Sequence, residues 1–197
     1  MIFIGIITKM IRVREELSKL INEFDFLNCL ETGTIRTYTE KHESTKHISN
    51  LIGTKGKLTS VDIEQESIAI SKDICDNAEN VAWVLSCSIE YLRKGGDKYH
   101  FVLLDSVNDP SHIFEEFKLV AKRIHTDGVL MVDDAGVGLD KTPLNDDWVY
   151  APKKAVQVNQ FLSSIGVDYE IVTGGHSGNQ LLLKMTQENT RKIKESL

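Results

Sequence analysis

Proline is scarce in this chain: three in 197 residues, Pro110, Pro143 and Pro152, all in the second half. No proline-rich linker divides the sequence, so one domain over residues 1–197 is the simplest expectation. Cysteine is equally sparse. Cys29, Cys75 and Cys87 stand at unrelated spacings, which excludes a disulfide framework and leaves no C-x-x-C pair for zinc. All three lie within or beside apolar segments and are expected as reduced packing residues of a cytoplasmic protein. Basic charge is in the minority: 23 Lys and Arg against 29 Asp and Glu give a net charge of −6. That balance argues against a nucleic-acid backbone or an anionic membrane as partner. No apolar run approaches the ~20 residues of a membrane span. The apolar opening, residues 1–7, is short, with no charged stretch before it and no small-residue cleavage site after it.

What is present is an alternation of strand and helix signals. Apolar positions Ile11, Val13, Leu17, Leu20, Ile21 and Phe24 fall at helical spacing, so residues 1–24 are read as an N-terminal helical extension. A core over 25–186 follows, then a tail over 187–197. Short apolar runs ending at Glu31, Asp62, Leu85, Asp105 and Val132 predict five strands. Helices are predicted at about 44–51, 65–76, 89–93 and after Asn108-Asp109-Pro110. An irregular segment, 135–150, holds Trp148 and Tyr150 and precedes a helix over 152–164. Two last strands, 168–173 and 180–185, are joined by a connection too short for a crossover helix, so they are expected to be antiparallel. The prediction is a Rossmann-like, doubly wound α/β sheet of seven strands, mostly parallel, with an antiparallel last strand.

In such sheets ligands bind outside the carboxyl ends of the strands, and there the acids gather. Taken singly, Glu31 or Asp62 reads equally well as a helix cap. Together, one βα unit apart and with Gly33 two residues after Glu31, they point to a bound cofactor. A carboxylate accepts two hydrogen bonds at once, which suits a ribose diol. A dinucleotide fingerprint fails, since it needs three glycines after strand one.

The succession resembles the class I S-adenosylmethionine-dependent methyltransferases over about residues 25–185. Leu30-Glu31-Thr32-Gly33 looks like the family's first motif, and Asp62-Ile63 like its ribose-binding acid and the residue after it. Ser86-Cys87-Ser88 matches the position beside the adenine, and Asp105 the motif after strand four. The resemblance implies cofactor contacts from Glu31, Thr32, Gly33, Asp62, Ile63, Ser88 and Asp105, and from Ser44 where the first loop re-enters its helix. That loop departs from the family in lacking the second glycine. A closer likeness is to the metal-dependent O-methyltransferases of the catechol and caffeoyl-coenzyme A kind, which carry an aspartate after strand four and an Asp-Asp or Asp-Asn pair after strand five. Asp105, Asp133 and Asp134 hold those places and would bind Mg²⁺ or Ca²⁺. The lysine those enzymes often place after the strand-four aspartate is missing, which leaves Asp109 or His176 as candidates for the base. His176, in a glycine-rich hairpin, reads first as a solvated turn residue. A small-molecule hydroxyl is the expected acceptor, and the N-terminal helix could cover its pocket or mediate a dimer. Two other readings stand open: a catalytically silent cofactor-binding module, and a nucleotide-dependent oxidoreductase on a similar sheet.

Overall fold

The computed structural model describes residues 3–34, 44–144, 153–173 and 179–197, and in the first helix the side chains from Ile11 onward. Helix α1 (Phe3–Glu23) leads into β1 (Leu27–Thr32), α2 (Ser44–Ile52), β2 (Gly56–Asp62), α3 (Gln65–Ile74), β3 (Val81–Leu85), α4 (Ser88–Arg93) and β4 (Tyr99–Leu104). Then follow α5 (Pro110–Ala121), β5 (Ile124–Val132), α6 (Val156–Ser164), β6 (Glu170–Val172), β7 (Gln180–Lys184) and α7 (Gln187–Ser196). One seven-stranded sheet runs in the order β3-β2-β1-β4-β5-β7-β6. Every pairing is parallel except those of β7, which lies antiparallel between β5 and β6.

Alternation along each strand supplies two cores, one on each face of the sheet. Leu30, Val102, Leu104, Leu130 and Val132 face a cluster with Ile113 and Phe117 of α5 and Leu162 of α6. Their neighbours Cys29, Phe101, Leu103, Val129 and Met131 face Val13, Leu17 and Leu20 of α1 and Ile48 and Ile52 of α2. Both sides of the inner strands are therefore dry, which is why the sequence shows them as unbroken apolar runs rather than as alternation. Each such side chain, fully buried, contributes about 1.5–3 kcal/mol. The apolar face of α1 is part of this core.

Two expectations are corrected. Residues 187–197, read as a tail, form α7: Thr186 caps it by accepting from the Asn189 amide at 3.1 Å, and Ile193 is fully buried beneath it. Strand β5 begins four residues earlier than expected. It passes an irregularity opposite β4, where Asp127 adopts φ +69°, a conformation aspartate tolerates. Among the described residues no helix is long and apolar enough to cross a membrane. The three cysteines are thiols rather than disulfides, and burial pushes the Cys29 thiol up.

Candidate active site

The carboxyl ends of the strands are locked together by main-chain hydrogen bonds. Gly33 donates to Val61 (2.8 Å), Asp105 to Thr32 (3.0 Å), Asp133 to Leu104 (3.0 Å) and Ser86 to Asp62 (2.9 Å). The residues just past β1, β3, β4 and β5 thus form one rim with the end of β2. Gly33 turns there at φ +85°, and a Cβ on it would lie 2.3 Å from the Asp105 carbonyl oxygen. Glycine is required because the β4 loop presses against this turn.

A cleft of about 420 Å³ opens on that rim, lined among others by Gly33, Asp62, Ile63, Ser88, Val107 and His112. Asp62 Oδ2 accepts from the Thr34 amide (2.8 Å) and hydroxyl (3.1 Å), and Oδ1 accepts from the Glu64 amide (2.8 Å). Oδ1 keeps a second lone pair, whereas Oδ2 already accepts twice, so a ligand hydroxyl there takes the place of the Thr34 hydroxyl. Ile63 and Val107 are exposed apolar side chains, 65% and 42% accessible, facing a cleft rather than filling a core. At the back, Ser88 Oγ lies 3.0 Å from His112 Nε2, which lies 3.5 Å from Oε1 of the fully buried Glu116. Thr32 Oγ1 donates to the other Glu116 oxygen at 3.3 Å. Glu116 holds the His112 imidazolium above its ordinary value, against the effect of burial.

Glu31 lies behind this cleft rather than in its lining. It is fully buried and accepts hydrogen bonds from three hydroxyls: Ser44, Thr45 (2.6 Å) and Ser60 (3.0 Å). Burial pushes its carboxyl up to about 7, the hydroxyls opposing and Asp105 assisting. Its hydroxyl partners tie α2 and β2 to the first turn, so Glu31 and Ser44 brace the turn from beneath.

Asp105, Asp133 and Asp134 converge as expected, each offering an oxygen within 4.8 Å of the others. Gln180 Nε2 donates to Asp133 Oδ1 at 3.0 Å. What lies among them is a residue with no motif to announce it. The ammonium of Lys154, whose side chain is 3% exposed, hydrogen-bonds Asp105 Oδ1 and stands 3.4 Å from Asp134 Oδ2. Burial works against its charge, but Asp105, Asp134 and Asp133 together raise its pKa above the ordinary lysine value.

Compared by sequence, the chain matches no family model and no curated protein. Compared by fold, it is similar to the O-methyltransferase NovP (TM-score 0.65, 12% identity, 91% of this chain and 80% of that chain). It is similar also to the N-methyltransferase NodS from Bradyrhizobium japonicum WM9 (0.55, 11%, 87% and 92%). A third neighbour is MycE, a methyltransferase of the mycinamycin biosynthetic pathway, in complex with Mg, S-adenosylhomocysteine and mycinamycin VI (0.57, 13%, 86% and 48%). The fold is that of the class I S-adenosylmethionine-dependent methyltransferases. At identities this low the likeness is one of fold.

On this methyltransferase fold the anticipated residues divide. Gly33, Asp62, Ile63 and Ser88 line the cleft, and Asp105 abuts it through Gly33 and Ser106. Thr32, Glu31 and Ser44 form its buried support. Asp109 is exposed and caps α5, accepting from the Ser111 amide at 2.8 Å. It is not one of the three converging carboxylates. His176, Trp148 and Tyr150 lie outside the described residues. Sequence reasoning missed Lys154, His112 and Glu116. For the last two a signal existed, since His and Glu four apart share a helix face.

Proposed function

We propose that this protein transfers a methyl group from S-adenosylmethionine to a hydroxyl of a small molecule. The observation that carries the reading is Asp62 at the end of β2, set in the cleft one strand away from the left-handed Gly33 turn. S-adenosylmethionine supplies a methyl group on a sulfonium, already activated for transfer. The chain's residues need to bind, align and exclude water. Asp62 is the acceptor for a vicinal diol, its two oxygens oriented by Thr34 and Glu64. Ile63 and Val107 offer apolar surface on the cleft rim for a flat base, and Ser88 and His112 offer polar atoms deeper in. The Gly33 turn lets main chain approach a ligand without a side chain intervening.

Alignment of the acceptor oxygen with the methyl carbon is a proximity effect able to supply ~7–11 kcal/mol. Three carboxylate oxygens at this spacing suit a hard cation in donor type. A divalent ion could be held by these residues, and polarise the acceptor oxygen, only by displacing the Lys154 ammonium from among them.

Calorimetric titration with S-adenosylhomocysteine tests the proposal. The parent binds one equivalent, and Asp62→Ala weakens binding by at least about tenfold, the cost of a lost charged hydrogen bond. Absence of binding, or equal binding by the variant, rejects it. A panel of hydroxyl acceptors then tests transfer: binding without turnover across the panel would make the chain a silent cofactor-binding module.

A further inference from the structure

We infer that Lys154 occupies the place of the divalent cation: its ammonium, and not a bound metal, is the counter-charge set among Asp105, Asp133 and Asp134. The three carboxylates approach within 4.8 Å of one another, and the Lys154 nitrogen makes its contacts at two of them while its side chain is withdrawn from solvent. An ammonium is a compact charge with three donors, a match in number to three acids that would otherwise repel one another.

The placement is built into the main chain. The Lys154 amide donates to the Asp134 carbonyl at 2.9 Å, and the Ala155 amide donates to Ala135 at 3.2 Å. Asp134 and Gly136 both turn at positive φ, +45° and +68°, and a Cβ on Gly136 would lie 2.4 Å from the Lys153 Cα. Residues 153–155 are thus laid directly along the turn that follows β5. A lysine there has no surface route for its stem: it delivers its charge into the acid cluster. Gln180 fixes Asp133 from the opposite side. A divalent ion entering the cluster must first displace the ammonium and break both of its contacts.

For the methyl-transfer reading, on which this consequence rests, the acceptor site is simplified. A metal with open coordination positions can gather two oxygens of one acceptor. An ammonium held by Asp105 and Asp134 cannot, so the preferred acceptors carry a single reacting hydroxyl rather than a chelating pair.

Metal binding tests the inference without any turnover. Mn²⁺ is titrated into the full chain by calorimetry and by the paramagnetic resonance signal of the free ion, for the parent, Asp133→Asn, Lys154→Met, and Lys154→Met with Asp133→Asn. The parent shows no saturable site at millimolar Mn²⁺, and its melting temperature in EDTA equals that in Mg²⁺. Lys154→Met melts lower in EDTA, is raised by Mn²⁺, and binds one ion at least about tenfold more tightly than the parent. Adding Asp133→Asn abolishes that site. One-to-one binding by the parent that Asp133→Asn removes would overturn the inference, and this arm holds even if Lys154→Met does not fold. Equal affinities of parent and Lys154→Met would overturn it as well. Failure of S-adenosylhomocysteine binding would reject the methyl-transfer reading and leave the metal result standing.

Discussion

Gly33 and Asp105 meet main chain to main chain, leaving 2.3 Å between a notional Cβ at position 33 and the Asp105 carbonyl oxygen. Two penalties coincide at this point, a left-handed backbone and a hard contact that only a shift of the β4 loop could relieve. Gly33→Ala is therefore expected to lose on the order of 3 kcal/mol, measured by urea denaturation. Affinity for S-adenosylhomocysteine should fall with it, because the shifted loop carries Ser106 and Val107 of the cleft.

Glu31 gives the protein a pH dependence of unusual sign for a carboxylate. Its folded pKa, raised to about 7 by burial, lies above the ordinary carboxyl value of 4.5. The native state therefore holds the proton more strongly than the unfolded chain, and the contribution to stability present below pH 4.5 is lost as pH rises to 7. Glu31→Gln keeps the shape and an oxygen for the hydroxyls of Thr45 and Ser60. Its melting temperature minus that of the parent should increase between pH 4.5 and 7 and stay level above. A constant difference would show that Glu31 stays ionised throughout.

His100 acts in the opposite direction. Burial, with repulsion from His125 stacked 4.1 Å away, lowers its pKa from 6.5 to about 4, while Nδ1 accepts from the Asn28 amide at 3.0 Å. The unfolded chain binds the proton first as pH falls, so stability present above pH 6.5 is lost on the way down to 4. His100→Asn keeps an acceptor for Asn28 and should flatten this acid limb, read as melting temperature against pH relative to the parent.

The pair His112 and Glu116 is expected to be coupled. Removing the imidazole in His112→Phe leaves the fully buried Glu116 carboxylate with the Thr32 hydroxyl and no cation, at a cost of about 1–3 kcal/mol. In Glu116→Gln the charge is gone, and the same histidine substitution should cost measurably less. A double-mutant cycle by chemical denaturation gives the coupling, and additive effects would refute it.

The parallel strands were legible because burial on both faces leaves few polar positions inside them, and each run stops at the rim where polar groups resume. The hairpin of β6 and β7 was legible from chain length alone. Helix α7 was not: among its residues only Ile193 is apolar and fully buried, too few for a periodic signal. In the site, Asp62 and Gly33 stood out by spacing, whereas the supporting role of Glu31 depends on hydroxyls 13, 14 and 29 positions away. Lys154 was hidden for the same reason. Beside Lys153 and before a helix it has the pattern of a solvated end, and its burial comes from a carboxylate 49 residues earlier.

Because β7 runs antiparallel to β5, its first residue, Gln180, lies at the rim and reaches Asp133. A growing polypeptide can pair β1, β2 and β4 before β7 is made, yet the acid cluster gains its Gln180 brace only once β7 has left the ribosome. Completion of the sheet and completion of the acid cluster are one folding event.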